Sequence, residues 1–283
     1  MNAGHINFTT PFGSYSVPNR WELLTPELYL EVCRLLDLYA HGKISYGQMH
    51  LAYTCKALDI DPGKIKGTTA HENIYLISSQ VDFIMRDTQH INNCFLAQLL
   101  PTVNAGGKTY HGYDVCTGFD TLTCSLTAIQ FIEAYELVGA PEEKLPLLAA
   151  ILYCPDGYTS EKAHVLASAF NGIGSIMLQG IALNFQAFCN YLFTRTPFKI
   201  LYETNPKKAS KAITIGMAES LYNLSADGLG DVVVIEQMPV IKYLSILRKK
   251  LIESVRSMHE AKMDVIEIAA KTGLSIQLIN KMI

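Results

Sequence analysis

Apolar positions recur mostly at helical spacing, and short alternating stretches interrupt them. At the start, Ile6-Asn-Phe8 and Tyr15-Ser-Val17 alternate, and Pro11-Phe-Gly-Ser14 between them has turn composition. This pattern predicts an opening β-hairpin. The period changes at Thr25. Thr25 suits an N-cap, Pro26 the first helical position, and Glu27 complements the helix dipole. Leu28, Val32, Leu35, Leu36 and Tyr39 then share one face, and Glu27, Glu31, Arg34 and Asp37 share the other. Gly42 ends this helix, Ser45 opens a second one through about Leu58, and Asp61-Pro-Gly63 closes that.

Further helices are predicted over about 69–86, 91–100, 122–138, 145–153, 162–193, 213–224 and 239–261. Gly172, Gly174 and Gly180 are expected to break or thin the 162–193 run and to let other backbone approach closely. The stretch from Val103 to Asp120 is rich in Gly, Thr and Tyr and reads as a second hairpin. In the long helix, Ile241, Leu244, Leu247, Leu251, Val255 and Met258 step by three and four. Lys242, Arg248, Lys249, Lys250, Glu253 and Arg256 lie off that stripe.

Asp264 to Ile283 has the pattern of a helix-turn-helix. Ala269 supplies the small residue where the two helices pack closest. Gly273, four positions later, supplies the turn residue able to take positive φ. Ile268, Leu274, Ile279 and Met282 surround them as a small core. The expected fold is therefore mainly α: a multi-helix body with two small β-hairpins and a C-terminal helix-turn-helix. Its expected organisation is a helical body over 1–196, a linker with a short helix over 197–235, and the long basic helix with the helix-turn-helix over 236–283.

Composition narrows the roles. Apolar residues are 49% of the chain and charged residues 17%, against roughly a quarter charged in ordinary domains. A chain so poor in charge buries much of itself or covers surface against a partner. The net charge of −3 argues against general polyanion binding. Locally, however, five acids and eight bases follow from Glu236 onward. The seven cysteines include no C-x-x-C pair and lie mostly in apolar stretches. They read as reduced, buried thiols, neither a disulfide framework nor a zinc site. No basic segment followed by an apolar run stands at the N-terminus, so no signal peptide is expected. Ile176 to Phe193 is long enough to cross a bilayer, but Gln179, Gln186 and Asn190 share one face and Asn184 adds another amide. Amides are expensive in lipid and ordinary in a protein core, so a buried helix is expected instead of a membrane span.

Catalytic motifs are absent. Ala105-Gly-Gly-Lys-Thr109 has the tail of a nucleotide-binding phosphate loop, but Thr102 stands where that loop needs Gly and no helical pattern follows. Asn171-Gly-Ile-Gly174 has no strand before it. His71-Glu72 lacks a second His four residues on. His111, Asp114 and Cys116 lie near one another in sequence, and a Cys–His pair can be nucleophilic, yet Tyr and His in a hairpin more often form a contact surface. The expectation is a non-enzyme with no cofactor and no metal.

Four segments together carry a resemblance. They are Tyr15-Ser-Val-Pro-Asn-Arg-Trp-Glu-Leu-Leu-Thr-Pro-Glu-Leu-Tyr29; Gly106-Gly-Lys-Thr-Tyr-His-Gly-Tyr113 running to Phe131-Ile-Glu-Ala-Tyr135; Leu148-Ala-Ala-Ile-Leu-Tyr153; and Leu221-Tyr-Asn-Leu-Ser with the long helix. The chain resembles a group of helical proteins from the structural modules of tailed phages and prophages of gut bacteria. That resemblance implies an assembly or structural role, tail-assembly-chaperone-like, with protein partners (a client or further copies of itself) and a place in the host cytoplasm or on the virion. The closing helix-turn-helix is no part of that pattern. The hairpin aromatics Phe12, Tyr15, Trp21, Tyr110 and Tyr113 are the expected protein contacts. The alternative is a DNA-binding or packaging protein. Its second closing helix would show Ser275, Gln277, Leu278 and Lys281 to bases, while Arg248, Lys249, Lys250 and Arg256 contact phosphates.

Overall fold

The computed structural model describes residues 4–11, 13–118, 121–154, 157–202 and 209–283. The fold is mainly α, with twelve α-helices and three two-stranded antiparallel sheets among these residues. The chain divides into two units. The first comprises Met1–Leu100 with Ile173–Ala187, and the second Pro101–Gly172 with Phe188–Ile283. The divisions fall near 100, 172 and 187.

The first unit opens on strands β1 (His5–Thr10) and β2 (Gly13–Pro18), paired from His5–Pro18 to Thr10–Gly13. Helix α1 (Pro26–Ala40) starts as its sequence dictates. The Thr25 side chain accepts from the Leu28 amide, and Pro26 sits where an amide would go unused. Its buried face is Tyr29, Val32, Cys33, Leu35 and Leu36. Helix α2 (Tyr46–Ala57) carries a reciprocal capping box between Ser45 and Gln48. Helix α3 (Thr68–Ser78) ends well short of the expected Arg86 and buries only Ile74 and Ser78.

The predicted helix at 91–100 does not form. The segment between α3 and Pro101 is irregular, with one isolated bridge between Met85 and Ile91. It is nonetheless a core segment, since Val81, Phe83, Ile84, Met85, Phe95, Leu99 and Leu100 are buried. A buried irregular backbone must find its hydrogen bonds elsewhere. Asn184, 1% exposed, supplies two of them. Its Oδ1 accepts from the Leu99 amide at 2.7 Å and its Nδ2 donates to the Ala97 carbonyl at 2.8 Å. Trp21 Nε1 donates to the Asn92 carbonyl at 2.7 Å, and the Asn19 side chain bonds Asp82 in both directions. Side chains around Trp21 complete the core. Its ring stacks on Phe95 with centroids 5.1 Å apart and meets Phe83 edge-on at 5.1 Å.

Asn184 belongs to helix α7 (Ser175–Arg195), whose residues as far as Ala187 lie in this unit. The Tyr29 hydroxyl donates to the Gly180 carbonyl at 2.6 Å, and a Cβ at Gly180 would sit 3.3 Å from Leu30 and 3.4 Å from Leu100. Gly180 thus permits a close approach within an unbroken helix. The amides of the uncharged run are internal partners: Gln179 Nε2 reaches Asp37, and Gln186 accepts from Asn93 at 3.0 Å. No described helix is long and apolar enough to cross a membrane.

The second unit holds two hairpins where one was expected: β3 (Thr102–Ala105) with β4 (Lys108–His111), and β5 (Val115–Gly118) with β6 (Thr121–Cys124). Strand β6 takes residues expected in the next helix, which shortens to α4 (Ala128–Glu136). Helices α5 (Leu145–Leu152) and α6 (Ser160–Phe170) follow, and a break at 171–174 separates α6 from α7. Beyond α7 lie α8 (Ala209–Ala226), the short α9 (Val232–Glu236), α10 (Val240–Glu260), α11 (Val265–Thr272) and α12 (Ile276–Ile279). Phe131 is the aromatic centre of the body, with Tyr135 at 5.8 Å, Phe193 at 6.3 Å and Phe188 at 6.4 Å.

Two stability predictions arise in the first unit. Asn184→Ala would leave the Leu99 amide and the Ala97 carbonyl buried and unmatched, a cost of roughly 2–4 kcal/mol at ~1–3 kcal/mol per buried group with partial relaxation. Urea unfolding followed by the fluorescence of Trp21, the single tryptophan, reads this loss. The second concerns His50, 4% exposed, whose Nε2 is buried without a partner. Burial holds its pKa below the ordinary imidazole value, against a smaller upward pull from Asp82. The unfolded chain therefore takes up this proton first. Stability is full above pH ~6.5 and falls as pH drops from there toward the folded-state value, by at most ~1.4 kcal/mol per pH unit. In His50→Phe this part of the acid slope should vanish.

Candidate functional site

Two features of the second unit could carry function. The first is a cleft of about 490 Å³. Its first wall is strand β4 with the loop from Gly112 to Asp114. Ser125 to Thr127, just before α4, and Gln130 in its first turn line it too, as do Leu152 to Cys154 and Tyr158. Local chemistry explains the wall. Gly106 (φ 53°) and Gly107 (φ 76°) make a two-residue turn in which both positions are left-handed, the twist a tight hairpin requires. The phosphate-loop-like Ala105-Gly-Gly-Lys-Thr109 is therefore a hairpin turn running into a strand. The loop after β4 is clamped at both ends. The Gly112 amide donates to the Pro101 carbonyl at 2.9 Å. The Asp114 amide donates to Ser125 Oγ at 2.8 Å, and the Ser125 amide returns a bond to the Asp114 carbonyl at 3.0 Å. Thr127 caps α4, accepting from the Gln130 amide.

The cleft brings together only part of the His111, Asp114 and Cys116 set. His111 and Asp114 both line it, whereas Cys116 is exposed on β5 and does not. The thiol that does line it is Cys154, and burial pushes its pKa up, with Lys162 pulling weakly the other way. A thiol held in its neutral form is a poor nucleophile. Tyr158 donates to the Glu133 carboxylate, and burial followed by that carboxylate raises its pKa. No group of three His, Cys, Asp or Glu residues among the described residues could hold a metal ion.

The hairpin aromatics separate. Tyr15 is 40% exposed and stacks on Phe8 with centroids 5.5 Å apart. Tyr110 is half-buried against Phe170 at 5.4 Å. Phe12 lies outside the described residues. Trp21 and Tyr113, 3% and 4% exposed, are not surface contacts as expected. Trp21 follows the hairpin and turns into the aromatic core of the first unit, and Tyr113 packs on Phe188 at 5.5 Å. Alternation along a hairpin does not determine which face the rest of the chain covers.

The second feature is the closing helix-turn-helix. Asp264 caps α11 and Ser275 caps α12. Gly273 takes φ 72° and its amide returns to the Ala269 carbonyl at 2.8 Å, as the spacing of those two residues implied. Ile268, Leu274, Ile279 and Met282 are buried with Val255 of α10 and Ile200. Arg256 Nε donates to the Met282 carbonyl at 2.8 Å and ties the last turn to α10.

Of the residues expected at DNA, Gln277 and Lys281 are exposed, and Ser275 spends its hydroxyl oxygen on the Leu278 amide. Lys250 pairs with Asp227, and Lys249 lies 3.7 Å from Glu253. Arg248 is half-buried, with its Nε enclosed and unbonded. Arg256 is the one of these cations bound to the element itself. Helix α12 has four residues, about 6 Å of helix at 1.5 Å per residue, a single turn.

Neither a protein-family model, nor a curated protein, nor a solved structure matches the chain.

Gly273→Ala tests the closing element directly. A Cβ at φ 72° should cost roughly 1–2 kcal/mol. Amide hydrogen exchange over residues 265–283 should rise while the aromatic body stays protected.

Proposed function

We propose that this chain is a non-enzymatic assembly or structural protein that binds other proteins, of the kind found in phage tail modules. The observation that carries the reading is the apolar surface left open around α9. Tyr222 and Leu229 before it, with Val233 and Val234 within it, are 64%, 42%, 63% and 61% exposed. They fall within thirteen residues of chain, on the end of α8, on α9, which packs against α8, and on the turn between them. Single exposed apolar residues are ordinary, but a cluster of this kind is costly in water and suits a contact face. The low charge content of the chain supports the same reading. So do the segments from Tyr15 to Tyr29 and from Gly106 to Tyr113, which resemble tail-module proteins.

DNA binding through the closing element is the second reading, favoured by its left-handed Gly273 turn. The one-turn α12 and the paired Lys249 and Lys250 weigh against it.

Two measurements separate them. A Val233→Asp/Val234→Lys variant should keep the native circular dichroism and melting temperature, since both side chains are exposed. The parent is expected to self-associate or bind a client in sedimentation, and the variant to lose that association. Duplex DNA affinity should be weak, flat across salt, and unchanged when the chain is ended at Lys262. A steep salt dependence abolished by that truncation would overturn the docking reading in favour of DNA. Tail and capsid genes beside this one are the expected genomic context, and their absence would remove the phage part of the proposal.

A further inference from the structure

Strand β4 has a free edge, and that edge borders the cleft. Its sheet has two strands, so β4 bonds to β3 on one side only. The two-residue turn at Gly106 and Gly107 makes Ala105 and Lys108 a hydrogen-bonded pair, and such pairs alternate along a ribbon. Val103 with Tyr110 is the next, and the bond from the Gly112 amide to the Pro101 carbonyl continues the series. The main-chain amides and carbonyls of Thr109 and His111 therefore point away from β3. None of these four groups has a partner among the described residues.

The lining of the cleft places it along this edge. Every residue from 108 to 114 lines it, and no residue of β3 does. Side chains of successive strand residues alternate between the two faces of a sheet. A space that touches all of β4 and none of β3 thus lies beside the strand and not over either face. Its other walls come from the residues before α4, the end of α5 and the approach to α6, with the buried Gln130 at its floor. Water satisfies an exposed edge in the free protein, so the unpaired groups alone call for no ligand. What sets this edge apart is that the space beside it is already bounded, which reduces the ordering cost of a chain laid there.

An extended peptide matches that space. It offers N–H and C=O groups on one side at every second residue, about 6.8 Å apart, which is the repeat of Thr109 and His111. The volume of about 490 Å³ lies within the ~300–1,000 Å³ of small-ligand sites and admits a short segment, not a folded domain. The two ends of the wall carry opposite charges. Lys108 and Asp114 are both exposed, and neither has an ion pair among the described residues. Antiparallel pairing is the more stable kind, and it sets the start of the peptide beside Asp114 and its end beside Lys108. We infer that this cleft takes an extended segment of a partner protein as a third strand, antiparallel to β4, with a basic residue near Asp114 and an acidic residue further along near Lys108. The site is separate from the apolar surface around α9 and stands or falls independently of it.

Amide NMR on the full, isotope-labelled chain tests the assignment, with the capped peptide Lys-Thr-Val-Thr-Val-Thr-Glu as probe. The Thr109 and His111 amide resonances should shift, with a Kd on the order of 0.1 mM. Methylating the peptide amides one at a time should weaken binding about tenfold at every second position of the paired stretch and little in between, because alternate amides face β4. Lys108→Glu, at an exposed side chain, should leave the melting curve unchanged and weaken the peptide about threefold. Replacing the Glu of the peptide by Lys should restore binding to that variant. The Val233→Asp/Val234→Lys variant should bind the peptide as the parent does, which keeps this test distinct from that of the α9 surface. Still resonances at Thr109 and His111, methylation losses that do not alternate, indifference to Lys108→Glu, or protection of the same amides by self-association without peptide would each overturn the assignment.

Discussion

A backbone that is neither helical nor paired in a sheet can be buried only if side chains take over its hydrogen bonds. In the first unit this constraint centres on Asn184. Its amide holds Ala97 and Leu99 from both sides, and the segment it holds carries Phe83, Ile84, Phe95 and Leu100 into the core. Trp21 adds a third bond to the same segment, at Asn92, and packs its ring on two of those phenylalanines. Hairpin, α1, α2 and α7 are thus organised around a stretch with no regular structure of its own. The enclosed His50 is a cost of that packing, tolerated because its neutral form needs no counter-charge.

The second unit is built from two cores. An aromatic one gathers around Phe131, and a small aliphatic one joins α10 to α11 and α12. The closing element spends Ile268, Leu274, Ile279 and Met282 on its own packing, and its second helix is a single turn. The cleft lies against strand β4, and the two bonds between Asp114 and Ser125 tie its Gly112 to Asp114 wall to the segment just before α4.

Much of the helical frame was legible along the chain. Thr25, Ser45 and Gly273 each act on groups within four residues of themselves, and they do in the structure what their chemistry implies. The burial of Ile268, Leu274, Ile279 and Met282 was legible for the same reason. The run at 91–100 misled because Ile91, Phe95 and Leu99 stand at helical spacing. That spacing reflects burial on an irregular path, with side chains from elsewhere in the unit as bonding partners. Trp21 and Tyr113 misled in the opposite direction, as aromatics next to hairpins that turn inward. Nothing in the sequence distinguishes Gln130 from a solvent-facing glutamine of an amphipathic helix, so the floor of the cleft was invisible.

Sequence alone therefore determined the mainly α character, the capped starts of the helices and the closing helix-turn-helix. Each of these rests on interactions between residues a few positions apart, which backbone geometry brings together whatever the rest of the chain does. Tertiary structure decided the irregular core segment, the division into two units, the β5–β6 hairpin and the cleft. The bonds responsible join residues such as Trp21 and Asn92 or Leu99 and Asn184, 71 and 85 positions apart. Local pattern carries no trace of such a pairing, because either partner would look the same had the chain folded without it.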